Sequence, residues 1–136
     1  MWRRRTGADL LDTEEMAAFF ARLDHLNEAQ LLGMRAAWHG TSREAHQDAW
    51  AAVRAVGAAN GLTKEIDRVR RKALGWASRG SDVAPYTLTD DIAWRQTKMD
   101  AGEAIVDAAL AVALGSRLDE VARNVLIGPW LRATEA

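Results

Sequence analysis

An all-α fold, a single-domain bundle of about five to six helices joined by tight turns, is the architecture this sequence predicts. Three observations predict it. Apolar residues recur at i, i+3, i+4 and i+7 through most of the chain, the signature of one buried face on a 3.6-residue helix. Helix-starting boxes of the Ser/Thr/Asp/Asn-x-x-Glu/Gln type alternate with helix-ending glycines, so starts and stops come in pairs. No segment reads as a strand. The 136 residues, 49% apolar and 27% charged, match one domain, 1–136, able to bury a core without disulfide or metal staples. Residues 1–11 form an N-terminal arm and 81–88 the main loop.

Each helix has its own punctuation. Asp12 with Glu15 predicts a start near residue 13, with Leu11 stapling onto Met16, and the stripe Met16, Phe19, Phe20, Leu23 follows. Asn27 and Gln30 form a reciprocal box, so the chain should break or kink there before the stripe Leu31, Met34, Arg35, Trp38. Gly40 suits a left-handed helix end and Thr41 with Glu44 a new start. The next helix turns Ala49, Trp50, Val53, Val56 and Gly57 inward and stops at Asn60-Gly61. Thr63 should cap a basic helix that buries Ile66, Val69, Ala73 and Trp76 and ends at Gly80. Residues 81–88, containing Pro85, lack any period.

Thr89 should cap the longest helix, reaching Gly115, whose second half is apolar nearly all round and therefore central. Ser116 with Asp119 starts the last helix, carrying Leu118, Val121, Ala122 and Val125, and Gly128-Pro129 should stop it. The many alanines favour helix and close approach. The six tryptophans then read first as bulk filling gaps between alanine faces.

Several classes of function are excluded or left unsupported. A net charge of −1 provides no global field for nucleic acid, anionic membrane or an acidic partner. Absence of cysteine removes thiolate chemistry. The longest apolar run, 108–115, is too short to span a bilayer, and the start of the chain lacks the apolar stretch of a secretory signal, so a cytoplasmic location follows by default. Gly40-x-Ser42-x-Glu44 lacks the second glycine of a nucleophile elbow. No phosphate loop or dinucleotide fingerprint is present. No catalytic residue is assigned, and no cofactor is expected.

His39 and His46 raise the question of a metal. They are seven residues apart, about 10 Å along a helix at 1.5 Å per residue, and no third ligand is marked, so no metal site is assigned. The stretch reads instead as a junction between two helices, with Thr41 capping through Glu44.

Asp107 alone interrupts the apolar stretch 104–114. The preferred reading is the one wet position on a mostly buried helix. The alternative is a buried carboxylate with a partner such as Arg123, or with a raised pKa, at the centre of a small enzyme or ligand pocket with a histidine and tryptophans.

The leading functional reading is a non-catalytic domain that contacts a protein partner or another copy of itself. Its anchors would be Trp2 with Arg3, Arg4 and Arg5 before the first helix, and Trp130 with Leu131 after the last. A second reading comes from Gly57 to Lys72, which resembles the helix-turn-helix of transcriptional regulators: a small residue, three residues, a glycine, an aliphatic, a threonine, then a basic helix. The resemblance implies DNA contact by Lys64, Glu65 and Arg68, with Arg70, Arg71 and Lys72 available to phosphates. Against it, Ile66 and Val69 fall one position early. In addition, 64–79 carries six positive and two negative charges while 81–107 carries six negative and two positive, so the two segments can neutralise each other. Taken whole, the chain resembles the small Ala-, Arg- and Trp-rich helical proteins of actinobacteria, above all in DAALAVALGSRLDEVARNVLIGPW and in an arginine to lysine ratio of 15 to 3. That likeness implies a bacterial source and carries no activity.

Overall fold

A computed structural model describes residues 10–78 and 88–135, with side chains over 10–76 and 101–135. Six α-helices follow one another: α1 (Glu14–Leu23), α2 (Glu28–His39), α3 (Arg43–Asn60), α4 (Thr63–Ser78), α5 (Leu88–Leu114) and α6 (Glu120–Thr134), with a 3-10 turn, Gly115–Arg117, between the last two. No strand occurs among the described residues, as the periodicity predicts.

α5 is the hub. From Ala104 to Ala111 every side chain is buried, and α1, α2, α4 and α6 all pack on this helix. Alanines at 104, 108, 109 and 111 make that possible, because a methyl-sized side chain lets a neighbouring backbone approach. Bulk comes from the partners: Met16, Leu23, Leu31, Met34, Val53 and Leu126 are among the fully buried side chains. At about 25 cal/mol per Å² of apolar area, such a contiguous core is the main stabilising term.

The caps follow the sequence with shifts of a residue or so. Asn27 and Gln30 form the expected reciprocal box, Asn27 Oδ1 accepting from the Gln30 N–H at 2.8 Å and Gln30 Oε1 from the Asn27 N–H at 2.9 Å. Asn60 ends α3, and Gly61 takes the left-handed conformation at φ 67°, which glycine adopts without a Cβ clash. α1, by contrast, is capped by Thr13, not Asp12: its Oγ1 accepts from the Met16 N–H at 3.1 Å. At the α2–α3 junction Gly40 stays right-handed, at φ −77°. Ser42, not Thr41, caps α3 there, accepting from the Ala45 N–H at 3.0 Å. The Thr41 hydroxyl is already committed, donating back to the Ala37 carbonyl at 3.1 Å.

Thr63 and Thr89 both lie inside their helices, α5 beginning at Leu88, so neither is the cap that its place in the sequence suggests. Residues 79–87, with Gly80 and nearly all of the expected main loop, lie outside the described residues. Asp119 caps α6 through the Ala122 N–H at 2.8 Å, while Ser116 belongs to the 3-10 turn.

The largest departure is at Gly128-Pro129, which does not stop α6; the helix continues to Thr134. Proline removes one helical hydrogen bond, but Pro129 and Trp130 are both buried, and Trp130 packs on Phe19 with ring centroids 4.4 Å apart. Burial of that large ring outweighs one missing hydrogen bond. Arg22 of α1 then donates to the Thr134 carbonyl at 3.1 Å, satisfying one of the last carbonyls of α6.

Candidate functional site

Asp107 lies in the second half of α5 and is only 1% exposed. The preferred sequence reading, a wet position, is therefore overturned: α5 is surrounded at this level, and the carboxylate is enclosed with polar partners. Arg123, its suggested partner, is exposed on α6, and no ion pair joins them among the described residues. Two tryptophans take that place. Trp38 Nε1 of α2 donates to Oδ2 and Trp50 Nε1 of α3 donates to Oδ1, both at 3.0 Å. One carboxylate thus ties together three helices, giving each indole N–H the acceptor that a partly buried donor requires.

His46 completes the group. It precedes Trp50 by one helical turn, so both side chains leave the same face of α3, and its ring lies against Trp38 with centroids 4.9 Å apart. His46 Nε2 is 3.6 Å from Asp107 Oδ2, within reach of charge attraction but too long for a hydrogen bond. This nitrogen is buried and has no hydrogen-bond partner.

The electrostatics push the two groups in opposite directions. Burial raises the Asp107 carboxyl to about 7; the Trp38 and Trp50 hydrogen bonds oppose the shift and the nearby Glu103 carboxylate adds to it. Burial also lowers the His46 pKa, against the charge of Glu103 and a hydrogen bond to the Ser42 backbone. Both shifts have the same cause, the free-energy cost of keeping a charge out of water.

In front of this group a pocket of about 580 Å³ opens between the C-terminal end of α2 and the exposed face of α3. Trp38, His39, Thr41, Arg43, His46, Gln47, Trp50 and Arg54 line it. Its volume lies within the range of small-molecule sites. Asp107 is not part of the lining: it sits behind the indoles and the imidazole, and its two hydrogen bonds fix the indoles. His39 and His46 share the pocket, but no group of three or more potential ligands that could hold a metal occurs among the described residues.

The other sequence candidates are dispersed. Trp2, Arg3, Arg4 and Arg5 lie outside the described residues. Trp130 is a core residue, 7% exposed, and Leu131 is half-buried against the core, so the expected exposed pair is not there. On α4, Arg71 Nε meets Asp67 at 3.0 Å, Arg70 lies 3.9 Å from the same carboxylate, and Arg68 is 3.7 Å from Glu65. Lys72 sits over the Phe20 ring at 4.4 Å, and Lys64 is exposed. Much of the helix's charge is thus engaged within α4 or against α1. Among the described residues no helix is long and apolar enough to cross a membrane.

No family model, curated protein or solved structure matches the chain, which leaves the pocket itself as the ground for a functional reading.

Proposed function

We propose that this protein is a ligand-binding helical bundle whose site is the pocket between α2 and α3. The observation that carries the reading is Asp107, a carboxylate within the fully buried 104–111 stretch of α5, holding Trp38 and Trp50 by their N–H groups. A buried acid is costly to stability and is not needed to fill space between alanine faces. What it supplies here is a fixed wall: two large rings held in place before any ligand arrives, the preorganisation that reduces the entropic cost of binding.

Binding fits this arrangement better than catalysis. His46 Nε2 faces Asp107 and is buried, so this acid–base pair points into the core and away from the pocket. Trp38 and Trp50 have their donors committed and offer ring surface. The reading of the chain as a protein-contact domain loses the support it drew from Trp130, which belongs to the core.

A fragment screen read by NMR on the tryptophan indole N–H signals tests the proposal. Fragments that bind should shift the signals of Trp38 and Trp50 and leave that of Trp130 in place. A screen in which no fragment moves the first two, or in which every hit also binds a Trp50→Ala variant unchanged, would count against the site.

A further inference from the structure

The pocket's lining is unevenly charged, and that imbalance identifies the class of ligand, granted the ligand-binding reading above. Arg43 and Arg54 both line it, together with His39 and Gln47. None of the lining residues is a carboxylate: Asp107 is sealed behind the indoles, and Glu103, whose charge acts on His46, does not line the pocket. On α3, Arg43, Gln47, Trp50 and Arg54 follow i, i+4, i+7 and i+11, one continuous stripe. The two arginines are therefore about 16 Å apart along the helix axis at 1.5 Å per residue. One guanidinium marks each end of a trough, with the aromatic wall between them. Neither is in an ion pair among the described residues, whereas Arg68, Arg70 and Arg71 on α4 all are.

Arginine offers donors only, in a planar fork that matches a carboxylate. The tryptophans offer flat ring surface, because their N–H edges are turned to Asp107. Aromatic pockets can also take cations against ring faces, but two guanidiniums on the rim would repel a cation, and no carboxylate is among the lining residues to balance one. We infer that the pocket takes a planar aromatic anion, a ring-bearing carboxylate whose ring lies against Trp38 and Trp50 and whose charge is held by Arg43 or Arg54.

Three ligands with one ring system and different charge test this: naphthoate, naphthylmethanol and naphthylmethylammonium, each titrated into the full chain while the indole N–H signals of Trp38 and Trp50 are followed. Naphthoate should bind about tenfold tighter than the neutral alcohol, the scale of discrimination expected of one charge-assisted contact. The double variant Arg43→Gln/Arg54→Gln should bring naphthoate to the alcohol's affinity and leave the alcohol's unchanged; both positions are exposed, so folding should survive. Equal affinity for anion and alcohol, or tighter binding of the ammonium, overturns the anionic class and leaves the ligand-binding reading intact. If none of the three moves either indole signal in the folded protein, the aromatic-anion class is overturned, while the ligand-binding reading stands or falls with the fragment screen.

Discussion

Trp130 and Trp50 are the same residue put to two uses. Trp130 is buried on Phe19, their ring centroids 4.4 Å apart, and joins α6 to α1 by packing. Trp50, like Trp38, is only half-buried; its indole N–H is claimed by a carboxylate from the centre of the bundle, and its ring forms part of a pocket. Trp76 stands between the two: it is 8% exposed, and its N–H reaches Asp24 at 3.2 Å, but Asp24 is exposed at the end of α1. The contrast is between a ring used to fill the core and a ring that lines a pocket while a buried acid holds its N–H. Ring size alone does not separate the two.

The contrast can be broken at either end. Trp130→Ala should have the largest effect on stability, about 3–5 kcal/mol for loss of a large core ring, measured by urea unfolding. The Trp38 and Trp50 indole signals should keep their positions in that variant. Asp107→Asn should cost less, about 1–3 kcal/mol, because the amide accepts from one indole but turns an N–H toward the other. Here both indole signals should move.

That penalty should also depend on pH. The folded-state pKa of Asp107, about 7, lies above its reference value of 3.8, so the group's contribution is full below the lower value and is lost as pH rises through the higher one. The difference between wild type and Asp107→Asn should therefore shrink from acid to neutral pH. His46 has the opposite sign, its contribution being present above 6.5 and lost as pH falls through its lowered pKa; because the histidine remains in the variant, a comparison at each pH chiefly reports the carboxyl. Asp24→Ala should have the smallest effect, roughly 0.5–1.5 kcal/mol for one part-buried hydrogen bond to an exposed acceptor, and should leave the pocket signals where they are.

The helices were legible in the sequence because their determinants are local. The Asn27–Gln30 box and the left-handed Gly61 are each set by side chains within a few residues. Where two local rules compete, the sequence leaves the cap ambiguous by a residue: Thr41 and Ser42 can both cap, and the hydroxyl of Thr41 is drawn back to the Ala37 carbonyl. Gly128-Pro129 reads locally as a stop, and only the distant Phe19 explains why α6 continues.

Asp107 was conspicuous as the single acid in the apolar stretch 104–114 of α5, yet its environment was not legible. A helix that is apolar all round gives no periodicity from which to tell an enclosed position from an open one. Its partners lie 69 and 57 residues away in sequence, on helices whose placement no local pattern states. The one clue was the i, i+4 spacing of His46 and Trp50, and it gained meaning only once α5 was set behind them.

The central claim, that Asp107 organises the pocket wall, is tested most directly by following the Trp38 and Trp50 indole N–H resonances against pH. Both donate to the same carboxylate, so both should shift together with a midpoint near 7, the value to which burial raises that group, and both shifts should vanish in Asp107→Asn. Resonances that stay still through this range, or that titrate at different midpoints and persist in the variant, would contradict it.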